Sequence, residues 1–388
     1  MYKNLSKIFK LLINSKISFS SPQKKSLVVI DDVRSKYIIP LVKNHNYVFL
    51  PVRLNRIHKI YLSFSILRKV LSKVFKYRLS TNYFISVIEA IQPKLVITYI
   101  DNSRLYHQLS KYFNNKIKFF AIQNASRVNT LADQFSRKDY FHQSYAHFGN
   151  YEKKIYKNAH VSKFFKVGSL RQSYAMEYFK KNKTKIKKNF YDICLVSDNA
   201  WGYDKIYNQD GIEDSWGKVY EFTFRFAKKH KKKIVFVSEC DYSNKSKESL
   251  EEIRKEKQFY QKYLKNYKYK LIPRFEKQHT TYKYVLESKI VISVITSILT
   301  EALAANKKIF PCNFSKIEEL NFPIKKTTLN NCDYSLFEKK LKELFKMNLK
   351  KYHSYFLGKD KNLLIDVGSN SKDTITRLKK RVDEYMGL

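Results

Sequence analysis

The sequence predicts an α/β protein of two successive Rossmann-like domains facing each other across a cleft. Three observations predict it. Short apolar runs alternate with longer helical patterns, as βαβ units with a parallel sheet require. The alternation stops in a charge-rich polar run at 180–189 and then restarts. The length, 388 residues, suits two to three domains at roughly 100–200 residues each.

In chain order, SLVVIDD reads as a buried strand closing on Asp31 and Asp32, and NYVFLPVRL as a second. An amphipathic stretch at about 60–76 follows, then a helix at 82–91 that ends before Pro93. KLVITYIDNS is a strand, a helix starts near Ser103, and KIKFFAIQN is another strand. After the break, YDICLVSDN, KKIVFVSE, YKLIPR, KIVISVITS and KKIFPCN read as strands. Helices are expected at 217–230, within 243–267, at 280–288, over ILTEALAAN and from Tyr334 onward. The expected units are 1–180, 181–365 and a C-terminal helix at 366–388. In such sheets ligands bind beyond the carboxyl ends of the strands.

Composition narrows the class. Hydrophobic residues make up 44% and aromatics 15%, enough apolar material to exclude global disorder. Lys+Arg 76 against Asp+Glu 34 gives a net charge of +42. That excess suits an anionic partner: nucleic acid, an anionic membrane surface or a phosphorylated substrate. A lysine-rich solvated surface is the competing account, because the lysines are spread along the whole chain. Cys194, Cys240, Cys312 and Cys332 lack metal-ligand spacing and read as buried free thiols. No uncharged apolar run is long enough to span a bilayer. The first twenty residues are basic and partly apolar, but Lys10 and Lys16 interrupt the apolar stretch and no small-residue cleavage site follows. They read as a surface helix or a membrane-lying amphipathic helix rather than a signal peptide.

The sharpest motif is VISVITSILTEALAANKKIF, a buried strand running straight into a helix. Thr296, Ser297, Thr300 and Glu301 fall in that helix's first turns. A helix start offers free N–H groups and a positive dipole end to a phosphate. Ser297 and Glu301 share a face, so the carboxylate can accept ribose hydroxyls while the helix end holds phosphates. Ordinary helix capping explains the same residues. Asp101, Asn102, Gln123 and Asn124 follow two other strands. Asp101 is a candidate base, with Asp31 and Asp32 as rivals that can share a proton. Strand-end turn chemistry is the alternative for all of them. Gly168, Ser169 and Arg171 lie near the domain crossing, where Arg171 can clamp a phosphate. Ser197, Asp198 and Asn199 end the first strand of the second block, and Trp201 can stack on a ring. Arg274 ends a further strand and His279 follows it. Phosphate-binding glycine loops, hydrolase elbows and zinc spacings are missing from the sequence.

Thr296-Ser297-Ile298-Leu299-Thr300-Glu301-Ala302-Leu303 resembles, without a gap, the Ser-Thr-Leu-Gly-Tyr-Glu-Ala-Leu pattern of bacterial surface carbohydrate biosynthesis proteins of the GT-B type. It departs at Leu299 and Thr300, and Asn306 stands where that family has a turn glycine. KLVITYIDNSRLYHQLSKYF, KFFAIQNASR, HFGNYEKKIY and FFKVGSLRQSY resemble successive segments of the same proteins, so the likeness runs from about Leu27 to Asn313. It implies a metal-independent glycosyltransferase with no bound cofactor, working on the cytoplasmic face of the inner membrane. A nucleotide sugar, Kdo-like or another surface-glycan sugar, would be the donor, and a glycan or lipid-linked molecule the acceptor. Catalysis would fall to Asp101, Asp31 or Asp32. Ser197, Arg274, Thr296, Ser297, Thr300 and Glu301 would hold the donor. Asn102, Gln123, Asn124, Gly168, Ser169 and Arg171 would line the acceptor side of the cleft. A related sugar epimerase or polyol-phosphate transferase is the near alternative. A non-catalytic basic protein is the distant one, and no nucleic-acid-binding module supports it.

Overall fold

The computed structural model describes residues 15–73, 77–126, 140–151, 153, 156, 159–198, 201, 204, 211–358 and 371–388. The strands are β1 (Lys16–Ser18), β2 (Leu27–Ile30), β3 (Tyr47–Leu50), β4 (Lys59–Tyr61), β5 (Leu95–Thr98), β6 (Lys118–Ile122), β7 (Phe141–His147) and β8 (His160–Lys166). Then come β9 (Tyr191–Val196), β10 (Ile234–Asp241), β11 (Leu271–Arg274), β12 (Ser288–Ser293) and β13 (Lys308–Pro311). They form two large parallel sheets, ordered β3-β2-β5-β6-β7-β8 and β11-β10-β9-β12-β13. A small parallel pair, β1 with β4, stands apart.

The central strands are what a parallel sheet covered on both faces demands. β2 reads LVVI and β5 reads LVIT, and every residue of both is buried. In the second sheet Ile193, Cys194 and Leu195 of β9 pair with Ile290, Val291 and Ile292 of β12. Helices Ile212–Lys229 and Lys247–Leu264 help cover that sheet, and Trp216, Tyr220 and Tyr260 sit inside its core.

Several expectations shift. The amphipathic stretch near 60–76 opens with β4, and its helix covers only Phe64–Leu71. β7 and β8 were not foreseen. Sequence FHQSYAH lacks the apolar run expected of a buried parallel strand, because its polar groups bond sideways instead. Gln143 donates to the Ser110 carbonyl at 3.1 Å and accepts from the Phe119 amide at 3.2 Å. β8 is an edge strand, and exposed lysines dilute its pattern. The thiols are unpaired, but only Cys194 and Cys312 are buried, while Cys332 is exposed. Of the basic N-terminal segment, residues 1–14 lie outside the described residues, and Lys16–Ser18 form β1 where a helix was expected; Asn199 lies outside too.

The chain leaves the first sheet through helix Leu170–Lys181 and returns to it at the end. Helix Ser371–Met386 places Ile375, Leu378 and Val382 in one core with Leu27, Ile97 and Leu170. Tyr385 meets the Ser144 hydroxyl at 2.6 Å, and the Thr374 hydroxyl donates to the Val167 carbonyl at 2.5 Å. The last helix is therefore part of the N-terminal domain. Leu378→Ala should cost about 2–5 kcal/mol by opening a cavity in that core. A thermal melt checks this, and a change within error would show that the helix does not support the first domain.

Candidate active site

A cleft enclosing about 160 Å³ opens at the carboxyl ends of strands from both sheets. Arg34 follows β2, Ala125 follows β6, Val196 and Arg274 end β9 and β11, and Thr296 follows β12. This is where an open α/β sheet places its ligand.

Glu301 forms the floor. It stands one turn into helix Ser297–Ala304 and is 2% exposed. Ser169, the N-cap of helix Leu170–Lys181, donates to Glu301 Oε1 at 2.5 Å, and Tyr282 donates to Oε2 at 2.9 Å. Gln172 Nε2 donates to the Glu301 carbonyl at 2.8 Å. Burial pushes the carboxyl above its ordinary range, while Arg171, Ser169 and Tyr282 favour the ionised form and oppose the shift. Each carboxylate oxygen keeps a second lone pair for a ligand hydroxyl.

Three arginines surround the cleft. Arg274 pairs with Glu239 at 3.1 Å, yet its Nε is shielded from solvent and has no partner among the described residues. The same holds for Nε of Arg171. Arg34 sits in the left-handed region at φ 59°, directly after the first sheet's central strand. Burial, then Arg171, lowers its pKa. Buried donors in native structures are normally satisfied, so two orphaned guanidinium N–H groups at one cleft point to an anionic ligand.

The rim joins the domains. Glu276 accepts from the Tyr37 hydroxyl at 3.0 Å and pairs with Lys36 at 3.1 Å. Burial works against the Glu276 charge, but Lys36 wins and brings its pKa down to about 2. His279, at φ 52°, is lowered to about 4 by burial and then by Lys36, so it is neutral at pH 7. Ser297 Oγ accepts from the Ser126 amide at 2.9 Å, and Ser126 Oγ donates to Thr300 Oγ1 at 2.9 Å.

Of the residues expected from sequence, Arg171, Arg274, Thr296, Ser297, Glu301 and His279 line this cleft. Thr296 caps its helix, its side chain accepting from the Ile298 amide. Ser169 reaches the site through Glu301, and Thr300 through Ser126. Gly168, at φ 83°, makes the left-handed turn that admits Ser169.

The others are engaged elsewhere. Asp31 and Asp32 do not form a proton-sharing pair: Arg53 holds Asp31 at 2.7 Å and Arg56 holds Asp32 at 2.9 Å, and neither carboxylate lines the cleft. Asp101 is buried, accepting from Tyr145 at 2.8 Å and from the Asn124 amide at 3.4 Å, which shapes the loop after β6. Gln123 braces that loop too, accepting from the Phe148 amide at 2.6 Å. Asn102 is half-buried outside the cleft lining. Ser197 donates to Glu256 at 2.8 Å and meets Tyr260 at 2.6 Å. Asp198 accepts from the Ile295 amide at 3.0 Å. Trp201 donates to Glu252 at 2.6 Å and packs near Phe259.

Arg34, Tyr37, Glu276 and Tyr282 line the cleft and were not singled out from sequence. Arg34 had a signal, since it stands just past a strand end. Tyr282 had none beyond its place on an amphipathic helix.

No protein-family model matches the chain, and no curated protein is similar to it in sequence. Solved structures are. The S. aureus MnaA-UDP complex aligns over 94% of this chain and 97% of its own, with a TM-score of 0.56 and 11% identity. UDP-GlcNAc 2-epimerase from Neisseria meningitidis, bound to UDP-GlcNAc, aligns over 92% and 99%, with a TM-score of 0.54 and 14% identity. A putative UDP-N-acetylglucosamine 2-epimerase from Listeria monocytogenes gives 0.53 and 11% over 94% and 97%. The chain has the GT-B fold. At these identities the likeness fixes architecture and leaves the chemistry to the residues.

Acid should loosen the rim in two steps. The folded His279 pKa lies below its ordinary 6.5, so its contribution is complete above that pH and is lost as pH falls through about 4. Glu276 lies below its ordinary 4.5, so its contribution is lost below that pH, down through about 2. Melting curves against pH should lose the first step in His279→Asn and the second in Glu276→Gln. Unchanged profiles in both variants would show that neither group is linked to stability.

Proposed function

We propose that the protein is a GT-B enzyme acting on a nucleotide sugar, and that it transfers the sugar to a surface-glycan or lipid-linked acceptor. One observation carries the reading. Two shielded guanidinium groups with unpaired Nε atoms, Arg171 and Arg274, converge with the start of helix Ser297–Ala304 on a cleft at the strand ends of two facing domains. The diphosphate of a nucleotide sugar supplies the acceptors these donors lack. The three neighbours above carry UDP or UDP-GlcNAc in their names, and the fold is theirs.

In this reading Arg34, Arg171 and Arg274 bind the diphosphate. They also stabilise the charge it gains as the glycosidic bond breaks, which is the largest catalytic effect such a site offers. Glu301 accepts a ribose hydroxyl on its free lone pairs. The enclosed cleft holds a pyrophosphate-sized group, and the remainder extends into an adjoining groove of about 720 Å³ that shares Tyr37, Glu276 and His279. That groove carries Lys36, Lys180 and Lys181 with Tyr174 and Tyr178, which suits a polar acceptor bearing negative charge. His279 faces both cavities. A bound diphosphate nearby raises its low pKa toward neutrality, which fits it to take the acceptor proton. The reaction uses this chain's own cations at the leaving group, and the work suits the cytoplasmic face of a membrane. Among the described residues no helix is long and apolar enough to cross one.

Epimerisation of the same donor is the second reading, because UDP-GlcNAc 2-epimerases share the fold across nearly the whole chain. It differs in needing no acceptor.

Calorimetry with CMP, CDP, UDP and GDP at low and high salt tests the proposal. One nucleotide should bind preferentially and survive high salt. Arg274→Ala should weaken it by about ten- to a hundredfold, the loss of one charge-assisted contact. Equal, salt-labile binding of every nucleotide would sink the cleft model. Release of free nucleotide only when acceptor is present marks a transferase, and acceptor-independent sugar inversion marks an epimerase.

A further inference from the structure

The first domain carries a surface that the cleft does not use. More than half of the exposed large apolar side chains among the described residues fall between Ile17 and Leu79. They concentrate where β1 runs beside β4 and helix Phe64–Leu71 begins. On that helix Phe64, Leu67 and Leu71 are 82%, 43% and 69% exposed. Spaced at i, i+3 and i+7, they make one outward stripe, while Ile66 and Val70 point into the core. Phe19, 76% exposed, belongs to the same face. Its neighbours bind the helix start on both sides: the Ser18 carbonyl accepts from the Leu62 amide at 2.8 Å, and Ser21 meets Ser63 at 3.0 Å and Ser65 at 3.1 Å. Two exposed phenylalanines and two exposed leucines gathered on one face form a costly surface.

Charge says what covers it. No acidic residue precedes Asp31, none lies between Asp32 and Glu89, and Glu89, whose carboxylate reaches helix Phe64–Leu71, is paired with Lys69 and Lys73 there. Asp31 and Asp32 are themselves neutralised by Arg53 and Arg56. Arg68 is exposed on the helix between Phe64 and Leu71, and Lys16, Lys59 and Arg78 are exposed around it. An apolar stripe within a field whose few carboxylates are all paired and whose net charge is positive matches the interface of an anionic bilayer, where the rings enter the acyl boundary and the cations meet headgroups. A second copy of the chain fits poorly, since a two-fold contact would set one net-cationic face against another. Nucleic acid leaves the apolar stripe unexplained.

We propose that the face formed by β1, β4 and helix Phe64–Leu71 docks the protein on an anionic lipid surface by inserting Phe19, Phe64, Leu67 and Leu71. The inference stands apart from the nucleotide reading and does not rest on it.

Co-flotation of the full chain with phosphatidylglycerol-containing vesicles, and with phosphatidylcholine vesicles alone, tests it. The protein should float with the anionic vesicles and much less with the neutral ones. High salt should reduce binding without abolishing it. Phe64→Ser and Leu71→Ser should each weaken partitioning by about tenfold, because a buried apolar side chain is returned to water. Arg68→Glu should weaken it several-fold. All three positions are exposed, so thermal melts should not change. Failure to float with anionic vesicles overturns the proposal. So does binding that the serine variants leave intact and that salt removes entirely, which is the behaviour of diffuse charge. Sedimentation velocity reads the remaining rival: self-association abolished by the same serine variants would assign the face to a second copy and overturn the proposal. None of these readouts involves nucleotide binding.

Discussion

The buried carboxylate of Glu301 is the constraint on which the cleft depends. A carboxylate removed from water must be paired or hydrogen-bonded, or it gives up its charge. Here the partners come from separate parts of the chain. Ser169 belongs to the crossing between domains, Tyr282 to a helix of the second sheet, and Arg171 adds a positive charge from the crossing helix. Satisfying one buried group thus fixes three elements against each other, and the position of Arg171 with them. Ser126, bonded to Ser297 and Thr300, adds a contact directly from the first domain.

The electrostatics follow from that geometry. Arg34, Arg171 and Arg274 share a confined space with Glu239, Glu276 and Glu301, yet the Nε atoms of Arg171 and Arg274 have no partner among the described residues. A shielded donor left unpaired is expensive unless a ligand accepts from it. The same crowding keeps His279 neutral, because burial and Lys36 both disfavour its protonation. An anionic ligand would relieve the arginines and make the histidine more basic at once. The charge of the site and the proton affinity of its one histidine are therefore linked. The charge of the whole chain, +42, is a separate matter, spread over a surface of which the net-cationic face of the first domain is one part.

The strands that form the middle of each sheet were legible from sequence because they are buried on both faces. LVVI and LVIT leave no polar position to confuse the reading. The strand-to-helix passage at Thr296–Glu301 was legible for a related reason: capping chemistry is local, and Thr296 caps the helix as its spacing implies. β7 was hidden because Gln143 and Ser144 are polar residues satisfied by distant partners. Asp31 and Asp32 misled as a carboxylate pair because their arginines lie more than twenty residues away in sequence.

By itself, then, the sequence determined the class of fold, the order of the units and the ends of strands where a site had to lie, since periodicity and capping depend only on near neighbours. The tertiary structure decided which of those strand-end groups face the cleft. It turned Asp101 and Ser197 to bracing their own domains, brought in Arg34 and Tyr282, and returned helix Ser371–Met386 to the first domain. The physical reason is the same in each case. A buried polar group takes whatever partner the packing supplies, and that partner is set by contacts between residues far apart in the chain.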